Sequence, residues 1–393
     1  MPPADWLRKA EDIAAAVAIR ANEGDAAGRD PVDEIALLRE AGFLAAAEPH
    51  EIGGGGLAWS ETLPLVRIVA RGSGSIGQLL GYHYVMSQSP GFYGQAPFGR
   101  GGNGERLRRR SVAEGWHWAG AANPLDPGLV LTPDGDGWRA SGRKTFATGA
   151  RFADWLTLSS KLGDAPVVFA LPRRRAGIGF LDDWDHLGQR QTASGTILFD
   201  DVRVEPDELV AELPPLEQQP VWLNMRVPML QLAFVNFYIG VAEGALASAR
   251  DYIRSTTRAW PTSGVSEARQ DPYILEHYGL LHANLAAAAA LADRAAVAVD
   301  AALARGQGLT LDERNLAAAE VFAAKVNTTH TVLEVTAKVF DLMGARATAR
   351  RFGFDRYWRD VRTHSLHDPV AYKAREVGNH ALNGTITPHW GYT

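Results

Sequence analysis

Residues Leu129 to Ser141 read LVLTPDGDGWRAS, two short apolar runs with Asp134-Gly135-Asp136-Gly137 between them. Aspartate and glycine tolerate the left-handed backbone of a tight turn, so the stretch predicts a β-hairpin. Outward from it, Trp155–Ser159, Val167–Leu171 and Thr196–Val204 are further short runs, broken by Gly, Pro and Asp and closed by Pro206. On both sides of this block the period changes from two to three and four. Before it, Val32, Ile35 and Leu38 recur, as do Leu63, Val66 and Ala70, with a turn at Gly53–Gly56. Asp30-Pro31 reads as a capping residue followed by a first-turn proline. After it come three helical patterns, Pro228–Arg258, Tyr273–Arg305 and Leu311–Met343. Each runs to roughly 30 residues, or ~45 Å of helix. A shorter pattern near Val370–Leu382 completes a four-helix bundle. Helices, then strands, then helices make an α+β chain. The expected organisation is a helical N-terminal domain over 1–115, an antiparallel β domain over 116–215 and a helical bundle over 216–393.

Composition narrows the function classes. The 393 residues are 46% hydrophobic and 22% charged, which suits a well-buried core and argues against disorder. Forty basic against 45 acidic side chains give a net charge of −5, so no overall positive field draws nucleic acid or anionic lipid. The arginine clusters at Arg106–Arg110 and Arg173–Arg175 read as solvated runs. The absence of cysteine removes disulfides, thiolate metal sites and cysteine nucleophiles. Asp5, Arg8, Lys9, Glu11 and Asp12 break up the N-terminus, which therefore does not read as a signal peptide. No apolar run reaches the ~20 residues of a membrane span, and the cytoplasm is the expected location.

Gly72-Ser-Gly-Ser-Ile-Gly77 matches the dinucleotide fingerprint literally, but a helical pattern precedes it and no acidic residue follows before Glu105. A turn that lets two helices pack closely is the better reading. His364 and His367 stand three apart with no further ligand at a metal-binding spacing, so no metal site is expected. Between Arg356 and Lys373, however, lie Arg359, Asp360, Arg362, both histidines and Asp368. Such crowding of ionisable groups is costly in a core and commoner where it is used.

Four stretches carry a resemblance: Gly81-Tyr82-His83, Trp184–Gly195 (WDHLGQRQTASG), Tyr252–Trp260 and above all Phe352–Pro369 (FGFDRYWRDVRTHSLHDP). They resemble the acyl-CoA dehydrogenase superfamily, in its flavin-dependent monooxygenase branch typified by the dibenzothiophene enzymes. That fold has the same three parts. The resemblance implies a two-component monooxygenase that takes reduced flavin (FMN or FAD) from a separate NAD(P)H-dependent reductase, binds O₂ and oxygenates a planar aromatic heterocycle. The three long helical patterns are rich in alanine, notably over Leu285–Ala304, and such small side chains predict a homotetramer or homodimer assembled through the bundle.

Carried over position by position, the resemblance assigns Tyr82, Ala121, Asn123, Asp126, Lys144, Phe146, Thr148, Arg258, Ala345, Arg346 and His367 to the flavin. Arg258 and Arg346 would hold its phosphate across a subunit boundary. His367 and Thr148 would face the reactive edge of the ring, with Tyr82 and His364 near the substrate. Where dehydrogenases usually have Tyr-Glu-Gly with a glutamate base, this chain has His367-Asp368-Pro369. A histidine there suits an oxygenase, which needs a proton donor. Three positions depart from the dibenzothiophene enzymes: Thr148 stands for a serine, Ala121 for an asparagine and Gln78 for a histidine. An acyl-CoA dehydrogenase or oxidase, and a non-catalytic flavin-fold protein, are the alternative readings.

Overall fold

The computed structural model describes residues 2–95, 97–121, 128–215 and 218–386. Five helices open the chain: α1 (Ala4–Ala27), α2 (Val32–Glu40), α3 (Trp59–Gly72), α4 (Gly74–Tyr93) and α5 (Asn103–Glu114). The strands are β1 (Trp118–Ala121), β2 (Leu129–Asp134), β3 (Gly137–Lys144), β4 (Trp155–Leu162), β5 (Ala165–Pro172), β6 (Ile178–Phe180), β7 (Ile197–Val204) and β8 (Leu209–Glu212). The bundle follows with α6 (Arg226–Ser255), α7 (Pro272–Leu303), α8 (Leu311–Met343), α9 (Asp355–His364) and α10 (Val370–Asn383).

The predicted hairpin is β2–β3, with Asp134 opposite Gly137. The sheet runs β6-β7-β3-β2-β4-β5-β8, with β1 also beside β4. It is mixed, which corrects the antiparallel expectation. β1 lies parallel to β4 from Trp118↔Trp155 to Ala121↔Leu158, and β2 touches β4 in parallel at Val130↔Lys161. The chain leaves β1, forms the hairpin elsewhere and only then returns as β4, so no tight turn dictates the direction of that pair.

A second correction concerns Asp30. It caps nothing, since α2 starts after Pro31 without a side-chain cap. Its carboxylate instead accepts from Arg151, 2.6 Å away. The glycines of the false fingerprint serve helix packing. A Cβ on Gly72 would meet the Ala14 carbonyl oxygen at 2.2 Å, and one on Gly77 would meet the Ala70 Cβ at 2.4 Å. Close approach without a side chain lets α3 and α4 nest against α1 and each other.

One apolar core runs through the N-terminal helices and the bundle, and the sheet encloses a second. The segment Val221–Ser255, which contains α6, is long and apolar enough to cross a membrane, but 83% of its most apolar window is buried inside the fold. It is the central helix of the larger core, buried nearly all round. α4 is similarly enclosed, so polar side chains such as Gln78 and His83 on α4 and Gln231 and Asn236 on α6 face protein rather than water.

Candidate active site

A cavity of about 400 Å³ opens where α4, the end of α9, the segment after β3 and the 184–195 loop meet. α4 supplies Gln78 and Tyr82, one turn apart on one face, and α9 with its following turn supplies Arg362, Thr363, His364, Leu366 and His367. Phe146 and Thr148 follow β3, and the loop adds Trp184, His186, Leu187, Gln189 and Ser194.

The loop is built for this position. Its backbone docks on α9, where Gln189 N–H donates to Asp360 Oδ1 at 2.6 Å and Gly188 N–H donates to Thr363 Oγ1 at 2.9 Å. The Trp184 indole N–H donates to the Gln189 carbonyl at 2.9 Å. Gln189 and Ala193 adopt left-handed backbone at φ 55° and 42°, as does Phe146 at φ 53°. Such conformations cost about 1–2 kcal/mol each outside glycine and persist where surrounding bonds fix them. Here they form an aromatic wall. Trp184 stacks on His186 with ring centres 3.7 Å apart, and Phe146 meets both edge-on.

Beside that wall runs a chain of hydroxyls. Thr192 Oγ1 donates its one proton to the Gln189 carbonyl (2.8 Å), so it accepts from Ser194 Oγ at 2.7 Å. Ser194 in turn accepts from Thr148 Oγ1 at 2.9 Å. Thr148 therefore shows the cavity lone pairs, and its proton points away. On the opposite side His364 sits between two tyrosines, 3.2 Å from Tyr82 OH through Nε2 and 2.8 Å from Tyr238 OH through Nδ1. His367 stacks on His364 at 5.4 Å, and its Nδ1 is 3.2 Å from Asp368 Oδ1.

Burial sets the charges. It pushes Asp360 up to about 7, against the pull of Gln189 N–H and two arginines. Burial would also raise Asp368, but the His367 hydrogen bond and the charges of Lys325, His367 and Lys373 outweigh it and hold that carboxyl well below its usual range. Burial keeps His364 far below an ordinary histidine, aided by the charges of His367 and Lys325.

Five expected site residues thus meet at the cavity: Tyr82, Phe146, Thr148, His364 and His367. Ala121 and Lys144 are buried at the ends of β1 and β3 and do not line it. Asn123 and Asp126 lie outside the described residues. Arg258, Ala345 and Arg346 are exposed and also away from the cavity lining. Their two loops lie together at one end of the bundle, where Thr257 Oγ1 donates to the Met343 carbonyl at 3.3 Å. His83, beside Tyr82, is structural. Its Nδ1 accepts from Trp118 N–H (3.0 Å), so Nε2–H donates to the Leu44 carbonyl (2.8 Å), and burial lowers it to about 4.

Sequence reasoning singled out the 184–195 stretch but assigned none of its residues a place. It missed Tyr238 and Lys325 altogether. Lys325 donates to Tyr238 OH at 3.2 Å and is wholly buried. A readable signal existed, because Lys325 falls on the apolar stripe of α8 with Phe322, Thr329 and Val332.

The cavity's own polar atoms bear on whether a flavin suits it. Gln78 Oε1 and both amide atoms of Gln189 are buried without a hydrogen-bond partner among the described residues. Buried amides are normally satisfied, and a planar ring with carbonyl and N–H edges would satisfy these beside the aromatic wall. The residues fit.

Comparison with known proteins agrees in every part of the chain. Residues 6–92, 124–202 and 232–371 match the N-terminal, middle and C-terminal domains of acyl-CoA dehydrogenase. A dibenzothiophene monooxygenase of Mycolicibacterium goodii is 37% identical over 92% of this chain and 89% of its own. The structure of methanesulfinate monooxygenase MsuC from Pseudomonas fluorescens superposes with a TM-score of 0.92 at 36% identity, covering 100% of both chains. The structure of TdsC from Paenibacillus sp. A11-2 with FMN and indole does so with a TM-score of 0.90 at 33% identity, covering 99% of this chain and 100% of that one. The chain belongs to the acyl-CoA dehydrogenase family, in the branch that contains the dibenzothiophene monooxygenases.

Proposed function

We propose that this protein is a two-component monooxygenase that uses reduced FMN and O₂ to oxygenate a planar aromatic heterocycle of the indole or thiophene type. A separate NAD(P)H-dependent reductase supplies the flavin, in the cytoplasm. The observation that carries this reading is the cavity itself, an aromatic wall of Phe146, Trp184 and His186 facing His364 and His367 across about 400 Å³. Flat rings stack on such a wall. TdsC holds FMN and indole on the same fold.

Bound reduced flavin supplies the electrons that divide dioxygen between substrate and water. The protein's own residues do the rest. The Thr148 oxygen, its proton committed to Ser194, would accept from an N–H of the bound flavin. His367 donates its Nδ1–H to the Asp368 carboxylate, so only as the imidazolium does it also offer a proton at Nε2 to the oxygen side of the reaction. Asp368 cannot play the dehydrogenase base. It lies outside the cavity lining and is held as a poorly basic carboxylate by His367 and the nearby lysines. Arg258 and Arg346, exposed and without ion-pair or side-chain hydrogen-bond partners among the described residues, are the phosphate ligands of this reading, reaching a flavin in a neighbouring subunit.

The test is turnover with reductase-supplied reduced FMN and O₂ on indole, benzothiophene and dibenzothiophene, with product and hydrogen peroxide both measured. Methanesulfinate is included because MsuC shares the fold so closely. Oxygenated heteroarene is expected. Turnover of methanesulfinate alone would replace the substrate class, and reduction of the flavin by acyl-CoA would replace the reaction. His367→Ala should lose ~10²–10⁴-fold in product, the scale of acid–base assistance, while O₂ is still consumed to peroxide. Full product yield from that variant would end the assignment.

A further inference from the structure

The buried face of α8 carries a cation that the chemistry above does not use. Lys325 is wholly buried, and no carboxylate lies within ion-pair distance of it among the described residues. Its Nζ sits over the rings of Phe234 and Tyr238, 4.9 and 4.7 Å from their centres, and donates to Tyr238 OH at 3.2 Å. Tyr238 OH is 2.8 Å from His364 Nδ1, and His364 Nε2 is 3.2 Å from Tyr82 OH at the cavity. Four side chains from α8, α6, α9 and α4 thus form one line from the middle of the bundle to the site.

The line has a direction. An ammonium can only donate. Tyr238 accepts from it, so its own proton goes to His364 Nδ1. His364 must then carry its proton on Nε2 and give it to Tyr82, whose own proton is turned away from the histidine. We propose that Lys325 and Tyr238 are positioning residues for oxygenation, holding His364 in the Nε2–H tautomer so that Tyr82 presents its proton on the cavity side. The consequence for oxygenation rests on the function proposed above; the tautomer does not.

Charged groups around the line fit this. Asp368 in the turn after α9 favours the ammonium, while Lys373 on α10 opposes it, and burial lowers Lys325 to about 8. His367 faces His364 as well. Once Lys325 loses its proton, its amine can accept from Tyr238 and the direction is lost. A lysine present only to fill space would predict no link between its protonation and the reaction.

Lys325→Met keeps the length of the side chain and removes the donor. Solid-state ¹⁵N spectra of histidine-labelled protein report the tautomer, with the His364 signal identified by its loss in His364→Asn. Wild type should show the proton on Nε2, and Lys325→Met a mixture shifted by about 2- to 12-fold, the range one lost hydrogen bond gives. In turnover, wild type should divert O₂ to peroxide as pH rises through about 8. Lys325→Met should be uncoupled at every pH with no such step, although it still binds FMN. Tyr238→Phe breaks the line in the middle and should uncouple in the same way. A wild-type proton on Nδ1 overturns the proposal whatever the variants do and whatever the substrate is. Coupling in folded Lys325→Met equal to wild type across pH 6–10 overturns it too. Absence of any oxygenated product from wild type, with the Nε2–H tautomer intact, would instead count against the proposed function alone.

Discussion

Replacing Asp360 with asparagine separates the charge of this side chain from its job of holding the loop. Asp360 is 4% exposed and accepts from Gln189 N–H at 2.6 Å. Its neighbours do not neutralise it directly: Arg356 donates to Asn22 and Tyr357, and Arg359 to Asp25, Asp355 and the Leu187 carbonyl. Burial therefore dominates and raises the carboxyl from 3.8 to about 7. The folded pKa is above the unfolded one, so the native state holds a proton that the unfolded chain has released. The stability this gives is complete below 3.8 and lost as pH rises to about 7. The full swing is at most about 4 kcal/mol at 1.36 kcal/mol per pKa unit. Asparagine keeps the carbonyl acceptor and never ionises. Asp360→Asn should thus gain on wild type as pH climbs from 4.5 to 8. About 3 kcal/mol of that swing falls between pH 4.5 and 8, and for a chain of 393 residues the unfolding entropy is about 0.8 kcal/mol per degree, so the Tm gap should widen by up to about 4 °C. Paired melts at one protein concentration, at half-unit pH steps, measure it. A gap that stays constant, or that closes with rising pH as loss of an arginine partner would make it, refutes the reasoning.

Arg258→Ala and Arg346→Ala should each weaken flavin binding by ~1.5–3 kcal/mol, the scale of a hydrogen bond to a charged group, and fluorescence titration with unchanged affinity in both would remove the phosphate assignment. The protein should be a dimer or tetramer assembled through the bundle, because α7 and α8 leave Leu280, Val297 and Leu316 more than half exposed beside an alanine-rich buried stripe. Light scattering that gives a monomer mass at micromolar concentration would refute that.

Much of this fold could be read from spacing, and what could not has physical reasons. The expected bounds of Leu311–Met343 match α8 to the residue because its apolar period is unbroken, and the structure adds a Thr310–Glu313 capping box at its start. The β2–β3 hairpin was equally plain, since its turn chemistry is local. The direction of β1 against β4 was not, because nothing within either strand records what the chain does between them. Asp30 misled for the opposite reason: a good capping residue beside a proline found a stronger partner in Arg151, 121 positions away.

The site divides along the same line between local and distant. His364 and His367 stand out by crowding in a short stretch, and both do line the cavity. The loop that faces them depends on left-handed backbone at Gln189 and Ala193, where no glycine advertises it. It is held there by Asp360 and Thr363, 171 and 175 positions on. The polarity of the cavity is more remote still. Thr148 offers lone pairs only because Thr192 has already spent its proton on a backbone carbonyl, and Ser194 passes the consequence along. A threonine in place of the family's serine changes nothing in that sequence of donors, since the added methyl leaves the oxygen and its proton where they were. The histidines come from one short stretch, whereas the hydroxyls and the lysine that bond around the cavity come from segments far apart in the chain.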